Sequence, residues 1–145
     1  MKTEKHLSIM NYISSKTEDK DEVTHAWRVA ENTKEYSSDD CIYVVALLHD
    51  VVEDGYSSFE QLQKLYGLNA EQLSALDAIT RRQGETYFDY IDRCKQNEMA
   101  KIVKLADLQH NITRCANDLP NRWGLLRRYA KAYGILIDEW KEQSK

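Results

Sequence analysis

The sequence predicts an all-α fold, a compact helical bundle, and three observations carry that expectation. Apolar residues recur along most of the chain at i, i+3, i+4 and i+7, the spacing of one buried helix face. The 145 residues include only five glycines and one proline, few for the many turns of an all-β chain. No stretch alternates apolar and polar residues for long enough to demand a sheet. Residues 1–145 are read as a single domain, long enough to bury a core without disulfides or metal staples.

Taken in order, residues 3–13 predict a short amphipathic helix through Leu7, Met10 and Ile13, closed by the polar run 14–21. His6 has no acidic partner at i+3 or i+4 and reads as a surface or boundary histidine. Residues 21–34 predict a second helix with Val23, Ala26, Trp27 and Ala30 as its buried stripe and His25 and Arg28 just off it. Residues 42–55, IYVVALLHDVVEDG, organise the rest. Val44, Leu47, Leu48 and Val51 form a buried ladder, Ser37, Ser38 and Asp39 supply N-cap chemistry, and Gly55 can leave the helix in a left-handed conformation. Ser57 or Ser58 then caps a helix with Glu60 as capping-box partner and Phe59, Leu62 and Leu65 inward, and Gly67 stops it.

Residues 69–82 turn Leu73, Leu76 and Ile79 inward and end in the basic turn Thr80, Arg81, Arg82 and Gly84. Residues 86–96 continue with Tyr87, Tyr90, Ile91 and Cys94. The long segment 99–119 places Ile102, Leu105 and Ala106 on one side and Val103, Asp107, His110, Asn111 and Arg114 on another. Pro120 breaks it and Asn121 can cap the last helix, whose stripe is Trp123, Leu126, Tyr129, Ala130, Tyr133, Leu136, Ile137 and Trp140.

Composition excludes several function classes. A net charge of −4 argues against a nucleic-acid-binding surface of the usual basic kind. Cys41, Cys94 and Cys115 are odd in number, far apart and without a Cys-x-x-Cys pair, so they read as reduced packing residues. No apolar run approaches the ~18 residues of a membrane span, and the N-terminus lacks a signal-peptide core. The expectation is a cytoplasmic protein that engages no membrane, with a homo-oligomer left open.

The second half of segment 42–55 carries His49, Asp50, Glu53 and Asp54. A helix this apolar cannot bury three carboxylates beside one imidazole without positive compensation, and a divalent cation is the economical source. His49 lies one helical turn before Glu53, and Asp50 one turn before Asp54. Neighbouring helical side chains diverge by about 100°. An ion held by both His49 and Asp50 must therefore recruit ligands from other helices, and His25 and Asp107 are the candidates.

His25 in HAWRVA, the adjacent His49 and Asp50 in LLHDVVED, and Asp107 in KLADLQHN together resemble the HD-domain metal-dependent phosphohydrolase superfamily, over roughly residues 21–114. More narrowly, ALLHDVVEDG with VKLADLQHN looks like the hydrolase domain of the bifunctional alarmone synthetase/hydrolases and of the small stand-alone alarmone hydrolases. Members of that group remove pyrophosphate from the 3′ position of guanosine tetra- or pentaphosphate with manganese. The resemblance implies an HD-domain bundle with the metal site between core helices and His25, His49, Asp50 and Asp107 as ligands. It makes Glu53 and Asp54 the acidic pair that orients or deprotonates the attacking water, and Asn111 a nucleotide contact. Such a nitrogen and oxygen ligand set suits Mn²⁺ or Fe²⁺ in a six-coordinate site, with Zn²⁺ and Mg²⁺ also compatible. Arg28, Arg81, Arg82 and Arg114 are candidates for meeting phosphate charge, whereas Lys104 reads as a solvated surface residue.

The resemblance also has gaps. Where the alarmone hydrolases carry a basic Arg-Lys loop with Gly and Tyr that grips guanine, followed by His-Pro, this chain has Thr17, Glu18, Asp19, Lys20, Asp21 and Glu22, then His25 and Ala26. Arg114 stands where that group more often has a small hydroxyl residue. The implied activity is a metal-dependent phosphohydrolase acting on a small phosphorylated nucleotide, in its sharpest form a guanosine 3′,5′-bis(diphosphate) 3′-pyrophosphohydrolase. The alternatives are a phosphomonoesterase or pyrophosphohydrolase for another nucleotide, and a nonhydrolytic nucleotide-binding module.

Overall fold

Seven of the helices begin where a polar side chain can take up a free backbone N–H. Thr3, Asp19, Asp39, Ser58, Asn69, Thr86 and Asn97 each accept from an amide in the first turn that follows, a contact worth about 1 kcal/mol per helix. In the computed structural model, which describes residues 3–144 and the side chains of 3–137, these caps start α1 (Glu4–Lys16), α2 (Lys20–Asn32), α3 (Asp40–Leu48), α4 (Phe59–Tyr66), α5 (Ala70–Ile79), α6 (Tyr87–Lys95) and α7 (Glu98–Ala116). The final helix, α8, runs over Trp123–Ser144, and a 3-10 turn (Thr33–Glu35) follows α2. All regular structure among the described residues is helical, as the apolar periodicity predicts.

Two helices form the centre. In α3 every side chain from Ile42 to Leu48 is buried, and in α7 every one from Ala100 to Leu108 is. A helix buried all round has neighbours on every side. α7 packs against α2, α3, α5, α6 and α8, and α2 also packs along α3 and α1. The arrangement brings the middle of α2, the C-terminal end of α3 and the middle of α7 together. None of the helices among the described residues is long and apolar enough to cross a membrane, and the three cysteines are free thiols.

Four expectations are corrected. Segment 42–55 is not one helix: α3 stops at Leu48, and His49 is its C-cap. There the His49 N–H turns back to the Ala46 carbonyl at 3.3 Å, and the His49 Nδ1 lies 2.6 Å from that oxygen. Residues 49–55 then form a separate turn. It closes through Tyr56 N–H to Val51 O and Gly55 N–H to Val52 O, both 3.0 Å, around Gly55 at φ 78°. This is the paired bonding of a left-handed helix stop, so Gly55 ends the segment as expected although the helix has already broken.

The face of α1 is also rotated from the expected one. His6, Ile9 and Ile13 are buried and Leu7 is exposed, because the His6 ring caps Thr3 and reaches Asp40 at 2.7 Å, which draws that side inward. His6 is therefore a buried tie between α1 and α3 and not a surface residue. In α4, Leu62 is buried while Leu65 is exposed, and the first-turn partner of Ser57 and Ser58 is Gln61 in place of Glu60. In α8, Ala132 and Leu136 are buried, with Tyr129, Tyr133, Ile135 and Ile137 packed against the core. Trp123 and Ala130 are exposed, and Trp140 lies outside the described side chains.

Leu105 is fully buried in α7, so Leu105→Ala should cost about 2–5 kcal/mol of stability. Leu65→Ala, on the exposed side of α4, should stay within about 0.5 kcal/mol of the parent. Urea unfolding midpoints of the two variants check the contrast, and equal losses would contradict the packing described for α4 and α7.

Candidate functional site

The helix centre described above sets four polar side chains around one point. His25 comes from α2, His49 from the end of α3, Asp50 from the turn after it, and Asp107 from α7. His25 Nε2 lies 2.9 Å from Asp107 Oδ1 and 3.8 Å from Asp50 Oδ2. His49 Nε2 lies 3.3 Å from Asp107 Oδ1 and 3.1 Å from Asp50 Oδ2. The first, third and fourth of these separations are close to the edge of a six-coordinate ion, about 3.0 Å for bonds of about 2.1 Å.

The tautomers fit a cation as well. The His49 Nδ1–H is committed to the Ala46 carbonyl, so loss of the other ring proton exposes the Nε2 lone pair. That atom is buried and has no hydrogen-bond partner, an arrangement that costs free energy unless something electropositive meets it. On His25, Nδ1 is 2.6 Å from Nδ1 of His110. Burial, the His25 charge and Arg114 hold His110 down at about 4, so His110 is a neutral acceptor and His25 donates its Nδ1–H. Both imidazoles thus have one nitrogen tied down and the other directed at Asp107, the outer-sphere arrangement of metal-bound histidines. His25, His49 and Asp107 are all buried and offer one ligand atom each within 4.8 Å of one another. Half-exposed Asp50 closes on the same point.

Asp107 is the most heavily engaged of the four. Lys104, one turn earlier in α7, donates from Nζ to Oδ2 at 2.8 Å, and Asn111, one turn later, donates from Nδ2 to Oδ1 at 3.2 Å. Burial works against the charge on Asp107, but Lys104, His25 and His49 outweigh it and hold the carboxyl well below its usual range. Burial likewise opposes the charge on Lys104, and Asp107 with Tyr90 and Tyr87 pushes it well above the ordinary lysine value. Lys104 is 7% exposed, which corrects its reading as a solvated charge. Its i−3 spacing from Asp107 was the signal in the sequence.

Two cavities adjoin this point. A cleft of about 220 Å³ is lined by His25, Asp50 and Asp107 at its base, with Glu53, Arg81 and Arg114 among its other walls. Glu53 Oε1 accepts the Arg81 backbone N–H at 2.9 Å, and the Arg114 guanidinium donates to Asn111. The other cavity, about 200 Å³, shares His25, Asp50 and Arg114 but is walled by Ile13, Leu47, Glu22 and Asp54. There Tyr56 donates to Glu22 at 2.5 Å. Burial, then Asp50, Glu22 and Glu53, push Asp54 up to about 6.

The broken helix explains this separation, since Glu53 and Asp54 leave a tight turn in different directions where one continuous helix would have placed them a turn beyond His49 and Asp50. Two of the expected phosphate contacts are not brought to the cleft. Arg28 stacks over Trp27 at 4.9 Å and lines a third cavity with Glu35 and Gln109, while the Arg82 side chain turns to Asp77 at 3.2 Å. Tyr87, Arg128 and Tyr129 line the cleft without having been singled out as site residues. They were hidden because the aromatic stripes of α6 and α8 read as core.

His110→Ala should weaken divalent-cation binding by about 10–100-fold with helical content unchanged, measured by competition with a chromogenic chelator. Affinity should also rise with pH. Burial lowers the His49 pKa, but Asp50 and Asp107 overcome it and raise it well above 6.5. A proton therefore competes for the His49 ring up to higher pH than at an ordinary histidine, and loading the cation near neutrality expels it. Calorimetry in buffers of different ionisation enthalpy reads that release; binding without it would contradict this account of His49.

No family profile matches the chain. Among curated proteins it is 33% identical over 94 residues to the guanosine-3′,5′-bis(diphosphate) 3′-pyrophosphohydrolase MESH1 of Drosophila melanogaster, covering 63% of this chain and 52% of that protein. It is 29% identical over 109 residues to the bifunctional (p)ppGpp synthase/hydrolase SpoT of Escherichia coli (strain K12), covering 69% of this chain and 16% of that protein. The chain thus spans about half the length of the first relative and far less of the second. A solved structure described as a metazoan ortholog of SpoT that hydrolyses ppGpp superposes with a TM-score of 0.70 at 22% identity, over 94% of this chain and 86% of that one. In sequence the chain is similar to proteins named as guanosine-3′,5′-bis(diphosphate) hydrolases, and its fold is the all-α bundle of that solved structure.

Proposed function

We propose that this chain is a divalent-cation-dependent phosphohydrolase that releases pyrophosphate from the 3′ position of guanosine 3′,5′-bis(diphosphate). The observation that carries the reading is the buried, unpartnered His49 Nε2, set beside Asp107 and Asp50 near the base of a cleft that also holds Glu53, Arg81 and Arg114. The activities named for the relatives supply the substrate. His25, His49, Asp50 and Asp107 would hold the cation, and Mn²⁺ suits two imidazoles with two carboxylates. A cation bound there would supply Lewis acidity toward a phosphoryl oxygen and toward water.

The remaining roles belong to the chain's own residues. Lys104 keeps Asp107 ionised so that its carboxylate is available as a ligand. The Arg81 N–H fixes one oxygen of Glu53 at the cleft, which leaves the other to take the proton of an attacking water. Asp54, raised to about 6 by burial and by Asp50, Glu22 and Glu53, would be the second acid of the pair that orients or deprotonates the water. Arg81, Arg114 and Asn111 line the same cleft and would meet the phosphate oxygens and orient the nucleotide. Three free thiols suit a reducing compartment, and the proposed location is the cytoplasm.

A second reading is favoured by one observation. The acidic segment ahead of His25 places Glu22, already engaged by Tyr56, in the cavity beside the cage, and the basic loop used for guanine by similar hydrolases is absent from the sequence. The same hydrolytic centre would then serve another nucleotide.

Protein stripped of metal and reloaded with Mn²⁺ should release pyrophosphate from guanosine 3′,5′-bis(diphosphate). Turnover confined to other nucleotides would sink the first reading in favour of the second. Glu53→Ala should retain the cation and lower kcat by about 10²–10⁴-fold, whereas Asp107→Ala should lose the cation. Full activity of Glu53→Ala would remove the proton-handling role.

A further inference from the structure

Glu53 meets the rest of the chain at a turn, residues 80–86 between α5 and α6, in which Arg81, Arg82, Gln83, Gly84 and Thr86 are all exposed. A turn with so little buried surface does not hold its own shape. A side chain from α6 holds it. Arg93 uses every N–H of its guanidinium: Nε and one Nη2 hydrogen go to Glu85 Oε2 and Oε1, both at 2.9 Å. The other Nη2 hydrogen reaches Thr80 O at 2.9 Å, and Nη1 reaches Asp77 O and Ala78 O at 2.9 and 3.1 Å. The carbonyls at the end of α5 lack partners within their own helix, and only a guanidinium carries five donors in a fixed fork to meet them and a carboxylate at once.

Glu85 carries that order along the turn. Its Oε1 also accepts the Arg82 N–H at 3.1 Å, and its carbonyl accepts from Arg81 Nε and Nη2 at 3.4 and 3.2 Å. The hydrogen bonds from Arg93 hold the Glu85 carboxyl down at about 2, so the pair stays charged. With its neighbours fixed in this way, the Arg81 N–H stands 2.9 Å from Glu53 Oε1. Neither Arg93 nor Glu85 lines the cleft.

We infer that Arg93, acting through Glu85, is a positioning residue for Glu53. The pair sets the turn in the register that presents the Arg81 N–H to one Glu53 oxygen and so orients the other. The inference rests on the proposed role of Glu53 as the proton acceptor and adds the residues that aim it. Arg93 touches neither nucleotide nor cation. Arg93→Lys keeps the charge but cannot reach five acceptors, so the fork and not the charge is what the role requires.

The test follows amide hydrogen exchange at single-residue resolution by NMR, in the full chain without added cation. The Arg81 N–H should be protected in wild type and exchange at least about tenfold faster in Arg93→Lys, in Glu85→Gln and in Glu53→Ala, with the amides of α7 unchanged. Glu85→Gln alters only the turn and remains readable if Arg93→Lys does not fold. Wild-type exchange at Arg81 in both Arg93→Lys and Glu85→Gln overturns the inference, as does a loss of protection that extends equally into α7, which would make Arg93 a residue of general stability. Turnover of guanosine 3′,5′-bis(diphosphate) by the Mn²⁺-loaded protein is read separately. Arg93→Lys should lower kcat by about 10–100-fold with KM near that of wild type. In the Glu53→Ala background it should lower kcat no further, because both changes remove the same contribution. A full additional loss in that background overturns the coupling to Glu53. If wild type does not turn over this nucleotide, the guanosine reading falls, and exchange at Arg81 alone decides for or against the link from Arg93.

Discussion

The ionised carboxylate of Asp107, buried in the middle of α7, is the constraint on which the remainder of the structure depends. Apolar neighbours surround α7 on every side, and a bare carboxylate in that setting would lose its solvation without return. Lys104 and Asn111 engage it from its own helix, while His25 and His49 reach it from α2 and α3. Compensation is thus shared among three helices, and their docking is fixed by where the charge lies. A buried pair contributes little to net stability and is strongly destabilising when one partner is removed, so this network serves position more than adhesion. His110 extends it outward by holding the far side of His25.

Much of the fold was legible because helix periodicity and capping are local. Asp39 and Gly67 announced boundaries through chemistry that needs no tertiary context. One failure has a long-range cause, since His6 is drawn inward by Asp40, 34 residues away. The early stop of α3 is local, at His49 and Ala46, and Trp123 lies exposed on the first turn of α8 although its spacing suits a core stripe. The convergence of His25, His49 and Asp107 was suggested by residue type and a family resemblance, and the helices do bring the three side chains together. The walls of the cleft were not legible. Tyr87 and Tyr129 have the composition of core residues, and only packing distinguishes a ring that fills a core from one that supports an arginine.

The two cavities that adjoin the cage differ in chemistry. Besides the Arg114 that both share, the cleft gathers Arg81, Arg128 and Lys104, whereas the other cavity gathers Glu22 and Asp54 between apolar walls. A polyanion is attracted to the first and repelled by the second. Under the proposed function, the electrostatics therefore orient a substrate with its phosphates in the cleft and its neutral portion elsewhere. The acidic segment in front of His25 contributes to that orientation through Glu22 even though it cannot act as a basic grip.

The turn 49–55 has a consequence for the acids it carries. Its left-handed stop is held by backbone bonds at Gly55, and a side-chain carbon built there would meet nothing within 4 Å. What restricts this position is torsional preference and not space. Below the turn, Leu47 and Leu48 anchor α3 in the core; above it, Glu53 and Asp54 are exposed. The segment thus works as a cassette, packed into the core at the end that carries His49 and turned to solvent at the end that carries Glu53 and Asp54. The turn, and not a continuous helix, sets how far the two acids stand from the cage.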